Sequence, residues 1–312
     1  MLLALEYQFL RQSVNCQSWR ATCYFVVAFA VQMLAAPSVG AESDRIVSAG
    51  GSVTEILYAL EVEEKVVGVD TTSLYPATAL KDKPNIGYVR ALSAEGIMAL
   101  KPSLVLAIEG AGPPDTIRLL SEAQVNIIRI PDEQNSNGVL RKIEAVGKAV
   151  SKTEKAAALV VSVSQRFAEL EEARKSIDKP VRVLFVLSLQ NGRAMVGGRN
   201  SAADSILKLA GATNVGTAIE GYKPMTDEAI IASAPDVILM MSRGDHAMSP
   251  SDVFALPAFA ATPAASNKAL LSMDGNCMLG FGPRTPDAVR ELMKAFYPSL
   301  KLVQLSASQK KP

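Results

Sequence analysis

Short apolar runs alternate with amphipathic segments along two stretches of the chain. In the first stretch, strand-like runs lie at residues 45–49, 65–69, 103–108 and 125–130, and helix-like segments lie at 52–60 and 114–123. After Pro180 the alternation returns, with strand-like runs at 181–188 and 236–241 and helix-like segments at 201–209 and 288–296. Strands that alternate with helices favour parallel sheets with helices packed on them. The pattern therefore predicts an α/β protein with two α/β lobes.

The segment between these two stretches is helical in pattern. Residues 137–177 contain no proline, and apolar side chains recur along one helix face at Leu159, Val163, Phe167 and Leu170. Gly147 and Ser151 indicate a break, and residues 153–177 then predict one helix of about 37 Å at 1.5 Å per residue. The predicted organisation is an N-terminal lobe at 42–135, a helical linker at 136–179 and a C-terminal lobe at 180–312.

A repeat supports the two-lobe interpretation. Residues 92–108 recur without a gap at residues 225–241, 133 positions later. Each copy has a Ser or Thr that can cap a helix, a Glu two residues later, a Pro that ends the helix and an apolar run after it. Two such copies predict two lobes of similar build. Because small ligands often bind between lobes, the repeat also predicts a ligand cleft between them.

The N-terminal residues 1–41 have the features of a secretory signal peptide. Arg11 and Arg20 precede an apolar run at residues 21–36, and small residues before Glu42 suit cleavage after Ala41. The alternative is an uncleaved membrane anchor, for which the run is somewhat short. No cysteine stands at the cleavage point, which argues against a lipid anchor. We expect a cleaved, periplasmic protein.

Composition then excludes several classes of function. Without the signal peptide the chain has 30 basic and 30 acidic residues, because two of its 32 basic and one of its 31 acidic residues are removed. Nucleic-acid binding, which usually needs a basic excess, is not expected. Cys277 is then the remaining cysteine of three, so no internal disulfide is expected. His246 is the single histidine, which argues against His-cluster zinc sites and most His-based catalysis.

The order lobe, rigid helix, lobe resembles the helix-linked class of substrate-binding proteins of bacterial ABC importers, over residues 45–302. Members of this class bind haem, cobalamin or ferric siderophores. The stretch Gly87-Tyr88-Val89-Arg90 resembles the haem-binding branch, in which a Gly-Tyr-x-Arg segment supplies the axial tyrosine. The resemblance implies that Tyr88 ligates the haem iron and that Arg90 lies beside it. A phenolate is a hard anionic donor that suits ferric iron.

Three segments of the second lobe also resemble haem-binder segments, at residues 221–225, 241–244 and 279–284. They imply a haem pocket that includes, besides Arg90, the side chains of Tyr222, Lys223, Arg243, Phe281 and Arg284. Arg243 would meet the Tyr88 oxygen or a propionate, and Phe281 would pack on the porphyrin edge. Some family members place a histidine after the first strand of the second lobe, but residues 188–192 contain none. His246 could replace it, although a surface loop histidine is the simpler interpretation.

Glu95 and Glu228 occupy matching positions of the repeat. In the family, one glutamate of each lobe pairs with arginines of the membrane permease, so the resemblance implies that these two residues dock a monomeric protein on the permease, which works with its ATPase. The alternative is that they complement the dipoles of their helices.

The resulting hypothesis is a periplasmic protein that captures haem and delivers it to an ABC importer. One rival is the same fold with cobalamin or a siderophore as ligand. This rival is weakened because the single Trp, Trp19, lies in the signal peptide, and such binders often stack Trp on the ligand. The other rival is a periplasmic enzyme. It is weakened because the chain has no nucleophile–base pattern and no Gly-x-Ser-x-Gly segment.

Overall fold

The computed structural model describes residues 44–190, 193–242 and 248–302. The predicted signal peptide, Arg243 and His246 therefore lie outside the described residues. Among the helices that the model describes, none is long and apolar enough to cross a membrane.

The first lobe is built on a four-stranded parallel sheet with strand order β2-β1-β5-β6. The predicted strands are present, shorter by one or two residues at their starts. In chain order the lobe contains β1 (Ile46–Ala49), α1 (Gly51–Ala59), β2 (Val66–Val69), α2 (Ala77–Asp82), β3 (Gly87–Tyr88), β4 (Ala91–Leu92), α3 (Ala94–Ala99), β5 (Leu104–Ile108), α4 (Pro114–Glu122) and β6 (Ile127–Ile130).

The start of α1 differs from the predicted start at Ser52. The helix begins at Gly51, directly after Gly50, whose φ of 139° only glycine adopts readily. No side chain caps this helix end. Ser52 lies in the first turn and is buried, so its hydroxyl is available for a contact with another part of the molecule.

Two helices connect the lobes. They are α5 (Ser136–Ala149) and α6 (Thr153–Arg174), separated by a turn in which Ser151 has a φ of 55°. The 22 residues of α6 span about 33 Å. Lys155 near its start pairs with Glu61 of the first lobe, and Arg174 at its end donates to the carbonyl of Lys208 in the second lobe, at 3.1 Å. The predicted long helix is therefore present and contacts both lobes.

The second lobe carries a mixed six-stranded sheet with order β10-β8-β7-β11-β12, in which β9 also pairs with β7. Strand β8 runs antiparallel to both of its neighbours, whereas β7, β11 and β12 are parallel. In chain order the lobe contains β7 (Arg182–Gln190), β8 (Arg193–Gly197), α7 (Ala202–Leu209), β9 (Thr213–Asn214), β10 (Tyr222–Met225), α8 (Asp227–Ser233), β11 (Val237–Ser242), α9 (Pro250–Phe254), α10 (Pro257–Ala260), α11 (Pro263–Ser266), β12 (Leu270–Asp274), α12 (Gly275–Leu279) and α13 (Thr285–Phe296).

The two copies of the repeat fold alike. Ser93 accepts a hydrogen bond from the backbone N–H of Gly96 at 3.0 Å, and Thr226 accepts one from that of Ala229 at 3.3 Å, so each caps its helix as predicted. The likeness includes a feature that the sequence did not reveal. Lys101 and Ala234, each just before the helix-ending proline, both have a positive φ, 46° and 43°.

Candidate functional site

Tyr88 lies on a short hairpin formed by the two-residue strands β3 and β4, in which Tyr88 pairs with Ala91. The carbonyl of Gly87 accepts a hydrogen bond from the N–H of Thr71, at 2.9 Å, in the loop after β2. The hairpin is also bonded to the loop after β5, because Gly112 donates its N–H to the carbonyl of Val89 at 2.9 Å. Ligands of parallel α/β sheets bind at the carboxyl ends of the strands, and the hairpin is fixed at that edge. The Tyr88 side chain is 48% exposed there.

Tyr222 of the second lobe has its hydrogen-bond and ring partners within that lobe. Burial raises the pKa of Tyr222, while the hydrogen bond from Ala203 and the positive charge of Arg90 oppose that rise. The N–H of Ala203 donates to the Tyr222 hydroxyl at 3.2 Å, and the Tyr222 ring meets Phe185 edge-on with centroids 6.3 Å apart. Tyr222 is thus held by its own lobe, and the positive charge of Arg90 in the first lobe favours the ionised form of its hydroxyl.

Arg90 and Lys223 occupy equivalent positions, 133 residues apart, just before the two copies of the repeat. Both side chains are exposed. Lys223 lies in β10, next to Tyr222, as Arg90 lies beside the hairpin strands of the first lobe. These two positions precede the predicted repeat, and an upstream extension of the same alignment pairs them. Each lobe therefore offers one exposed cation at the matching sequence position, Arg90 in the turn between β3 and β4 and Lys223 within β10.

Phe281 does not have its predicted place at a ligand edge. Its side chain is 0% exposed and belongs to the main hydrophobic core. The residue has a φ of 47°, and its carbonyl accepts a hydrogen bond from the Lys142 Nζ at 3.0 Å. This backbone turn directs the carbonyl to Lys142 and the ring into the core. The prediction that Phe281 packs on the porphyrin edge is therefore corrected: Phe281 is a core residue.

Arg284 is engaged between the lobes. Its backbone N–H donates to Glu55 Oε1 at 2.8 Å, its Nε donates to Glu55 Oε2 at 3.0 Å, and its guanidinium lies 3.6 Å from the centroid of the Tyr75 ring. Burial raises the pKa of the Glu55 carboxyl, and the positive charge of Arg284 opposes this effect. The predicted haem-pocket residue Arg284 thus has partners from the first lobe in this structure.

Lys142 of α5 is a residue that the sequence analysis missed. Its side chain is fully buried, and its Nζ donates to Asp132 Oδ1 at 2.7 Å, to Ser52 Oγ at 3.3 Å and to the carbonyls of Phe281 and Gly280 at 3.0 and 3.4 Å. Burial lowers the pKa of Lys142, and the Asp132 carboxylate opposes that effect. A lysine in an amphipathic helix normally reaches solvent, so no sequence signal indicates this burial.

The two docking candidates lie on short exposed helices. Glu95 is in the first turn of α3 and Glu228 in the first turn of α8, and both side chains are exposed. Arg243, the remaining predicted pocket residue, is outside the described residues. Within residues 44–190, 193–242 and 248–302, no group of three or more His, Cys, Asp or Glu side chains could hold a metal ion.

Comparisons with solved structures give strong matches of the whole described fold. The periplasmic heme-binding protein RhuT from Roseiflexus sp. RS-1 in its apo form is 36% identical, with a TM-score of 0.78 over 83% of this chain and 100% of that one. The periplasmic heme-binding protein BhuT in complex with two hemes is 37% identical, with a TM-score of 0.78 over 82% of this chain and 99% of that one.

Curated relatives carry two different descriptions. An uncharacterized ABC transporter substrate-binding lipoprotein, YvrC of Bacillus subtilis, is 29% identical over 82% of this chain and 81% of its own length. A vitamin B12-binding protein of Vibrio cholerae is 24% identical over 80% of this chain and 88% of its own length.

The family assignment agrees with the fold. The family model described as periplasmic binding protein matches residues 46–276, which include both sheets and the two helices that connect them. The family consists of binding proteins with two lobes, as the resemblance predicted. This chain belongs to the periplasmic binding protein family.

Proposed function

We propose that this protein binds haem between its lobes in the periplasm and delivers it to the permease and ATPase of an ABC importer. The observation that carries the proposal is the exposed phenol of Tyr88 on a hairpin fixed at the carboxyl edge of the first sheet, next to Arg90. The heme-binding names of the similar structures RhuT and BhuT support the choice of ligand.

The residues around Tyr88 suit ferric haem chemically. A phenol normally titrates near 10, so a phenolate at neutral pH needs help from the iron and from nearby cations. Arg90, two residues away, is charged at every physiological pH. Iron bound to the Tyr88 oxygen would stabilise the phenolate further, which is the arrangement of a tyrosinate-ligated haem.

Arg90 and Lys223 add a second element of recognition. Haem carries two carboxylates, and this structure presents one exposed cation from each lobe at equivalent positions. Arginine pairs with carboxylates through two parallel hydrogen bonds, and lysine pairs as a point charge. A ligand with two acidic groups would therefore be held from both lobes.

Cobalamin is the second candidate ligand, because curated relatives of the chain are described as vitamin B12-binding proteins. Cobalamin carries no carboxylate pair and needs no phenolate ligand, so neither Tyr88 nor the two cations would have a defined role in binding it. Glu95 and Glu228 would serve delivery in either case, as acidic contacts for the permease.

The test compares hemin binding by the mature protein, residues 42–312, and by two variants. Tyr88→Phe and Tyr88→Ala are expected to lose the tyrosinate–ferric charge-transfer band, because both lack the oxygen, and to bind hemin at least about tenfold more weakly. Tyr58→Phe, which removes a phenol from α1, is the matched control and is expected to behave like the wild type. An unchanged ferric spectrum in both Tyr88 variants, or tight binding of cyanocobalamin without hemin binding, would refute the proposal.

A further inference from the structure

The two docking helices share more than their glutamates. Seven large hydrophobic side chains among the described residues are at least about one-third exposed. Two of them, Met98 and Ile231, are separated by the repeat interval of 133 residues and are each 38% exposed. Single exposed hydrophobic residues are ordinary, but the same exposed apolar position in both lobes is not explained by chance composition.

The local structure fixes these side chains on one face with the glutamates. Met98 lies three residues after Glu95 on α3, and Ile231 lies three residues after Glu228 on α8. Residues three apart are neighbours on a helix surface. The intervening Ile97 and Ile230 are both 0% exposed, so each helix is anchored to its lobe on the opposite face.

The two helices lie in different surroundings, although both expose a glutamate and, three residues later, an apolar side chain. α3 precedes a strand of a purely parallel sheet, whereas α8 precedes a strand of a mixed sheet, and the residues at the helix ends, Lys101 and Ala234, are unlike. Fold constraints alone do not require an exposed apolar residue at the third position after each glutamate. An exposed apolar residue at the same position in both lobes suits a partner that contacts both lobes in the same way.

We infer that Met98 and Ile231 are apolar anchors of two equivalent docking patches, Glu95–Met98 and Glu228–Ile231, for a permease formed by two copies of one subunit. This inference rests on the proposed function. Two equivalent patches fit a partner with a two-fold axis, and each permease copy would offer one cation for the glutamate and one apolar pocket beside it. Apolar anchors next to steering charges supply affinity that salt does not remove, because burial of apolar surface is not screened.

The experiment measures binding of the mature protein to the importer's permease–ATPase complex in lipid nanodiscs, at low and at high salt. Met98→Ser with Ile231→Ser is expected to weaken binding about tenfold at both salt concentrations. Glu95→Gln with Glu228→Gln is expected to weaken binding mainly at low salt, because the contribution of exposed charges is screened at high salt. Each single serine variant is expected to show part of the loss of the double variant.

Two controls keep the result specific. Val161→Ser removes a 57% exposed apolar side chain from α6, which has no counterpart in the repeat, and is expected to bind the importer as the wild type does. Met98→Ile with Ile231→Met exchanges the two anchors and is expected to retain wild-type binding within about twofold, because apolar volume is conserved. Hemin titration of every variant measures ligand binding separately from docking on the importer. If the haem proposal is wrong, hemin binding is absent while binding to the importer is intact.

Three outcomes would overturn the inference. The serine pair could bind the importer as tightly as Val161→Ser does, or the exchanged pair could be as weak as the serine pair. The wild type could also self-associate in sedimentation and lose this association in the serine pair, which would make a second copy of this chain the occupant of the patches.

Discussion

At the scale of single residues, Cys277 offers a direct measure of local burial. The residue lies in α12, where its N–H donates to Asp274 Oδ1 at 2.8 Å, and burial raises the pKa of its thiol from 9.0 to about 11. Because the thiolate is the nucleophile, alkylation at pH 8 is expected to be roughly 100-fold slower than in the urea-unfolded protein. The rate is expected to rise about tenfold per pH unit to about pH 11. Mass spectrometry of the Cys277 peptide measures both rates, and a midpoint near pH 9 in the folded protein would contradict this expectation.

Single residues also show what a local sequence motif can and cannot indicate. Tyr88 and Arg90 are near neighbours in the chain, so a local motif was enough to propose them together, and their role in ligand binding stays a prediction. Lys142 and Phe281 could not be predicted in the same way, because the hydrogen bond between them joins residues 139 positions apart. No local sequence pattern contains a contact between residues so far apart in the chain.

At the scale of secondary-structure elements, the repeated helix end gives a stability prediction. Ala234 has a φ of 43° at the end of α8, a conformation that costs a residue with a Cβ about 1–2 kcal/mol. Ala234→Gly is expected to raise the free energy of unfolding by about 0.5–1 kcal/mol, since glycine adopts this φ readily while losing more backbone entropy. Urea unfolding followed by circular dichroism measures the change.

The matched control is Ala232→Gly, two residues earlier within the same helix. Ala232 is exposed and helical, so glycine there is expected to lower the free energy of unfolding by about 0.5–1 kcal/mol. Opposite signs for the two substitutions would support the assigned helix end. A loss of stability in Ala234→Gly would show that the left-handed conformation is not strained.

The elements that the sequence predicted share strong hydrophobic runs or helical periodicity. β1, β5, β7 and β11 are central strands, and their nearly continuous apolar runs made them recognisable. β10 was not among the predicted strands, and it contains Pro224, a residue that normally argues against a strand. The sheet order explains how proline fits here. β10 is an edge strand with a neighbouring strand on one side only, so the lack of a backbone N–H at Pro224 need not remove a hydrogen bond of the sheet.

At the scale of the whole molecule, contacts between the lobes limit how far they can move. α6 contacts both lobes, and the Lys142 Nζ joins Asp132 of the first lobe to the carbonyl of Phe281 in the second. The Nδ2 of Asn276 donates to the carbonyl of Thr72 at 2.5 Å, again across the lobes. Hinge motion needs a few residues that can absorb large changes in φ and ψ. These contacts join the two lobes directly, so they oppose such changes in the segment that links the lobes.

The expected consequence is a small conformational response to ligand. We predict that the radius of gyration of the mature protein, measured by small-angle scattering, stays the same within error when hemin is added. Glu55→Gln with Arg284→Met is the informative variant, because it removes the ion pair between the lobes without leaving a buried charge unpaired. Its ligand-free form is expected to be slightly larger than the wild type and to contract on hemin binding. Clear contraction of the wild type itself would show that the lobes close like those of a hinged binding protein, and that the contacts of Lys142 and Arg284 break and re-form in each transport cycle.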